Sequence, residues 1–291
     1  MELLFDSELA LLRKKRALKY GDPDAHFLMH RVADDLGERL ATVERHFDHA
    51  AAAFCLTDDA VRTMLSGGKT KVVTRIETDP AFLDGDGRIA DAETFPAEPA
   101  SFDLIVSLLN LHEINDIPGM LAQIRRALKP DGLFLGAMAG AGTLQELREV
   151  LLAAETELSA GAAPRVSPFA DVRDVGGLLQ RAGFALPVAD LETITVRYAT
   201  MFDLMRDLRS MGATSVLTAR SRKPATRALF MRAAQLYAER FSDPDGRIRA
   251  SFNIVWMSGW APHESQQKPL APGSARMSLK EALESSRKEE K

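Results

Sequence analysis

The chain has 291 residues, 46% hydrophobic and 27% charged, which is enough apolar material for a sizeable core and excludes collagen-like and wholly disordered classes. Lys+Arg 37 against Asp+Glu 41 leaves a net charge of −4, so nucleic-acid binding by bulk charge neutralisation is not expected. The single cysteine, Cys55, excludes a disulfide framework and Cys-based zinc sites.

In chain order, residues 1–20 read as a charged lead-in helix with Leu4, Phe5, Leu9, Leu11 and Leu12 on its apolar side. Its basic run Arg13-Lys14-Lys15-Arg16 is a solvated helix end or a docking surface. Acidic residues interrupt Met1–Ala10, so no secretory leader is expected. Residues 24–45 give a second helix through Phe27, Val32, Leu36 and Leu40. The apolar run Ala50–Leu56 follows, and Cys55 within it reads as buried packing. Thr57 is placed to cap a helix that ends at Gly67-Gly68. Lys71–Ile76, Arg88–Ala90, Phe102–Leu109 and Leu133–Met138 read as strands, with a helix at Ile117–Leu128 and a turn at Lys129-Pro130-Asp131-Gly132. Helices at Thr143–Glu157 and Val172–Ala182 continue the alternation. This rhythm predicts parallel strands joined by crossovers, an α/β class that binds ligands at the carboxyl ends of its strands.

A strand at Ile194–Tyr198, helices at Met201–Met211 and Ala225–Phe241, and a strand at Ala250–Trp256 complete the pattern, with residues 200–249 as a helical lid. The expected division is a helical lead-in over 1–46, one domain over 47–263 and a flexible tail over 264–291. The longest uncharged apolar run, Gly132 to Leu144, is short of the ~20 residues of a spanning helix. His26 and His30 share a helical face but lack a third ligand, so no metal is expected.

The stretch from Ser101 to His112, then Asn115-Asp116 and Leu128-Lys129-Pro130-Asp131-Gly132, resembles the fourth-to-fifth-strand region of class I S-adenosylmethionine-dependent methyltransferases. Ser167-Pro168-Phe169, Leu178–Phe184, Met205–Gly212, Gly259-Trp260 and His263–Gln266 narrow the resemblance. They point to a complex I assembly factor family with mitochondrial and alphaproteobacterial members, itself similar to malonyl carrier-protein methyltransferases. The resemblance implies a Rossmann-like seven-stranded sheet and S-adenosylmethionine as cofactor. It also implies a role in respiratory complex I assembly on a protein substrate, a complex I subunit, with no nucleic acid and no integral membrane segment. Its mitochondrial branch is associated with arginine hydroxylation. A cytoplasmic protein, peripheral to the inner membrane through complex I, is the expectation.

The family pattern also implies site roles: Glu77 for the ribose hydroxyls, Asp91 for the adenine amino group, Ser107 and Asn110 facing the reacting sulfonium, and His112 as acid/base. Three of them have a plainer alternative: a strand-end acid for Glu77, a loop cap for Asp91 and packing or hydrogen bonding for His112. One departure is sharp. The glycine-rich turn expected after the first strand is replaced by Ala53-Phe54-Cys55-Leu56-Thr57, where side chains would collide with a closely approaching cofactor. Glu113 stands where the family has an aromatic residue. Three readings follow: a protein-modifying enzyme, a catalytically inactive assembly chaperone or binding module, and a methyltransferase acting on a carrier-protein-linked carboxylate.

Overall fold

The computed structural model describes residues 3–267 except 160 and 162; of the expected tail, 268–291 lie outside the described residues. Asp6 starts the first helix, α1 (Ser7–Tyr20), by accepting a hydrogen bond from the Leu9 amide at 3.1 Å. In α2 (Phe27–Thr42), Val32, Leu36 and Leu40 recur at helical spacing and are buried. β1 (Phe47–Ala53) is next. Its Ala50–Ala53 would favour a helix by propensity alone, but these residues form a central strand buried on both faces. Burial between two helical layers outweighs the intrinsic preference.

The alternation then runs α3 (Asp59–Ser66), β2 (Thr70–Glu77), the two-residue β3 (Arg88–Ile89), β4 (Phe102–Leu108), α4 (Ile117–Ala127) and β5 (Leu128–Ala139). It closes with α5 (Gln145–Leu158), α6 (Val172–Arg181), β6 (Ala185–Tyr198), α7 (Met201–Ser210), α8 (Arg227–Phe241) and β7 (Ile248–Trp260). The seven strands form one sheet in the order β3-β2-β1-β4-β5-β7-β6. β1 to β5 pair in parallel; β7 runs antiparallel to both β5 and β6. The Rossmann-like seven-stranded expectation is met. One face packs Ile105, Phe134 and Met138 against α4 and α6. The other packs Leu104, Val106 and Trp256 against α2 and α3. A third cluster joins α5, α7 and α8 to the start of β7.

Three local expectations are corrected. Lys129–Gly132 is not a free turn: it lies inside β5 as an irregularity, where the pairing skips from Phe102↔Leu128 to Leu104↔Leu133. The strand expected at Ile194–Tyr198 begins at Ala185, because β7 supplies a long antiparallel ladder. Thr57 does not cap α3. Its hydroxyl donates to Asp59 Oδ2 at 2.7 Å, and Asp58 is the residue before the helix. The Gln266 amide reaches back across the sheet edge, donating to Asp131 Oδ1 and to the Ala261 carbonyl, each at 2.8 Å.

Candidate functional site

Strand order reverses between β1 and β4, so the loops leaving their carboxyl ends diverge and open a crevice. A cavity of about 490 Å³ lies there, within the range of small-molecule sites. Phe54, Leu109 and Ala139 from the strand ends contribute to its floor; α1, α7 and the segment 211–225 roof it. Phe5 pairs with Leu217 by an isolated bridge, and Arg13 donates to the Ser215 carbonyl, which ties the N-terminal segment to that roof.

Backbone strain concentrates at this cavity. Phe54 (φ 55°), Leu56 (φ 62°), Leu109 (φ 54°) and Leu144 (φ 53°) all line it in the left-handed region. A side chain there costs roughly 1–2 kcal/mol per residue. Strain held by surrounding structure is a recurrent mark of functional sites.

Three polar groups meet beside the cavity. Lys14 Nζ donates to Asn110 Oδ1 at 3.0 Å and lies 2.9 Å from Glu113 Oε2. Burial opposes ionisation of Glu113, yet Lys14 beside it holds the carboxyl below its usual range. His112 Nδ1 accepts from the Ala139 amide at 3.4 Å, and its ring lies 5.9 Å from that of Phe169. Burial pushes the imidazole down to about 4. His112 is therefore neutral near pH 7, and with Nδ1 accepting from the Ala139 amide its Nε2 carries the proton and is a hydrogen-bond donor.

Of the other sequence-predicted residues, Glu77, Asp91 and Ser107 are absent from the cavity lining, and Asn110 reaches it only through its bond from Lys14. Glu77 is buried at the end of β2, where its Oε1 accepts from the Leu56 amide at 3.1 Å and lies 3.4 Å from Arg75 Nη2. Burial raises its carboxyl to about 7, with Arg75 opposing. Asp91 is exposed and holds a turn, its Oδ1 accepting from the Glu93 amide at 2.8 Å. Ser107 and Asn110 are buried at the end of β4, where Ser107 Oγ and Asn110 Nδ2 have no hydrogen-bond partner among the described residues. The missed participants are Lys14 and the roof segment. The basic run was visible, but which of its cations turn inward depends on where α1 lies over the sheet.

These residues do not fit S-adenosylmethionine in the family's usual manner. Phe54 and Leu56 place side chains where a glycine turn would leave open backbone, and Glu77 is engaged by Leu56 and Arg75. The cofactor also carries a sulfonium cation, whereas the cavity is lined by six basic side chains and one acid, Glu113.

Residues 41–136, which include β1 to most of β5, match the family model for a methyltransferase domain. The mouse mitochondrial arginine-hydroxylase NDUFAF5 is 37% identical over 289 residues, covering 96% of this chain and 83% of that protein. A malonyl-[acyl-carrier protein] O-methyltransferase from Halorhodospira halophila is 31% identical, covering 87% of each chain. A methyltransferase candidate of known structure from Bacillus halodurans superposes with a TM-score of 0.54 at 14% identity, over 79% of this chain and 98% of its own, a likeness of fold.

Proposed function

We propose, because this chain belongs to the family of the mitochondrial arginine-hydroxylase NDUFAF5 proteins, that it is a methyltransferase-like enzyme modifying a protein side chain during assembly of respiratory complex I. The observation that carries the reading is the roofed cavity. α1, α7 and the segment 211–225 close it over the sheet edge beside His112, and the match to the NDUFAF5 relative extends over these roof elements as well as the sheet. A protein side chain entering there would be shielded from water and held against the neutral imidazole of His112, whose Nε2–H is left to donate a hydrogen bond because Nδ1 accepts from Ala139.

Complex I as partner would place the protein at the inner membrane as a peripheral component; among the described residues no helix is long and apolar enough to cross it. S-adenosylmethionine remains the cofactor that the methyltransferase domain supports, and the filled turn at Phe54–Leu56 argues against it. The same filled turn favours a second reading, a non-catalytic assembly factor that uses the fold to bind.

The test is complementation of cells lacking their NDUFAF5 protein with this chain, bearing a mitochondrial address where needed. Restored complex I activity together with a one-oxygen or methyl mass increase on a substrate side chain supports modification. Restored assembly without any mass change favours the binding reading, and no restoration by a folded, expressed protein rejects both.

A further inference from the structure

The roof of the cavity carries a charge pattern that the protein-modification reading does not use. Of the six Lys and Arg side chains that line the cavity, five of them on the roof, three are neutralised locally. Lys14 faces Glu113 at 2.9 Å, Arg165 faces Glu155 at 2.6 Å and Arg220 faces Asp6 at 2.8 Å. The remaining three, Arg13, Arg209 and Lys223, line the same cavity with no carboxylate at ion-pair distance among the described residues. Arg13 is the innermost of this group. Its guanidinium donates to the Ser215 carbonyl, and burial followed by the nearby Arg220 lowers its pKa. Arg209 and Lys223 are exposed, so with Arg13 they present positive charge without a paired carboxylate to an anion entering the cavity. Beside Arg13, Ser215 belongs to the cavity lining, and its buried Oγ has no hydrogen-bond partner among the described residues. An unmet hydroxyl among unneutralised cations is a ready donor to an anion.

The rest of the wall is apolar. Met205, Leu208 and Phe230 from the roof side face Leu147 and Leu151 of α5 across the cavity. A head group alone would leave this surface in contact with water. An apolar chain attached to the head group would cover it, at about 25 cal/mol for each Å² removed from water.

We propose that the roof of this cavity is a binding site for the anionic head group of a small single-chain amphiphile, a carboxylate or phosphate monoester, with Arg13, Arg209, Lys223 and Ser215 Oγ taking the head and the α5–α7–α8 wall taking the chain. The ligand would share the cavity proposed for side-chain entry, but its binding is read on the purified chain without any modification. Complementation can fail while the ligand binds, and the reverse.

The experiment is isothermal titration of the purified full chain with dodecanoate, dodecyl phosphate, dodecyltrimethylammonium and inorganic phosphate, all below micellar concentration. At least one anionic amphiphile is expected to bind, and the ratio between the two identifies the preferred head. The cationic amphiphile and inorganic phosphate are expected to bind at least tenfold more weakly. Added salt should weaken the anionic amphiphile. Combining Arg209→Gln with Lys223→Gln, both exposed and unpaired, should weaken it at least tenfold with the unliganded Tm unchanged. Ser215→Ala, which leaves every charge in place, should weaken it about threefold and serves as the readout if the double variant does not fold. Equal binding of the cationic amphiphile, equal binding of inorganic phosphate, or no binding of either anionic amphiphile overturns the proposal. So does unchanged affinity in the folded variants.

Discussion

Lys14 Nζ and Glu113 Oε2 are 2.9 Å apart, and the side chains retain only 18% and 13% of their exposure. This contact, with the bond from Lys14 to Asn110 Oδ1, fastens the N-terminal helix to the carboxyl end of β4. The basic run that reads as a solvated end or a docking surface thus spends one of its cations inside the molecule.

Lys14→Ala leaves Glu113 desolvated without its partner, and the expected loss is about 2–3 kcal/mol. Glu113→Gln should cost less, since the amide still accepts from Lys14. The Glu113 carboxyl is held below its usual range, so the stability from this pair is present above the unfolded-state pKa and fades as pH falls through the folded-state value. Chemical denaturation of both variants across an acidic series measures it; equal costs for the two would mean the charge of Glu113 contributes nothing.

Glu77 titrates in the opposite sense. Its carboxyl is raised from 4.5 to about 7, so the folded state holds its proton more tightly. The stabilising effect is complete below 4.5 and is lost as pH rises through about 7, at up to about 1.4 kcal/mol per pH unit within that window. Glu77→Gln should flatten this dependence while an oxygen still accepts from the Leu56 amide. Glu77→Ala should destabilise at every pH, because it strands that amide and the buried Arg75.

His112, pushed down to about 4 by burial, should show no protonation step near neutrality in its ring proton NMR signals. Its contribution to stability is present above 6.5 and is lost as pH falls toward 4. A ring titrating near 6.5 in the folded protein would contradict the neutral, desolvated assignment.

Leu56→Gly and Phe54→Gly separate strain from packing. Both residues sit at positive φ, where glycine is relieved of roughly 1–2 kcal/mol. Leu56 is half-buried, so its relief and its lost burial should nearly cancel, to within about 1 kcal/mol. Phe54 belongs to the core, and its loss should cost about 3–5 kcal/mol before that relief. Calorimetry with S-adenosylmethionine is expected to show no binding to the native chain; heat of binding there would show that a cofactor can be held without the glycine turn.

Much of the architecture was legible in the residue order. Alternating apolar runs place the helices and the parallel strands, and the segment from Ser101 to Gly132 carries the family resemblance, although the cap read at Thr57 is displaced by Asp58. Those features depend on neighbours a few residues apart. The absence of glycine after β1 was equally plain, but not what the backbone does without it: Phe54 and Leu56 adopt the left-handed conformation nonetheless, because the packed strand and Glu77 hold the loop. Only the tertiary structure decided that Glu77 supports a loop, that Asp91 holds an exposed turn, and that Lys14 meets Glu113 across 99 positions of chain. Spacing along the sequence determines which side chains share a face. Burial and charge pairing arise between segments remote in the chain, and here they keep His112 on the cavity while Glu77, Asp91 and Ser107 stand outside its lining.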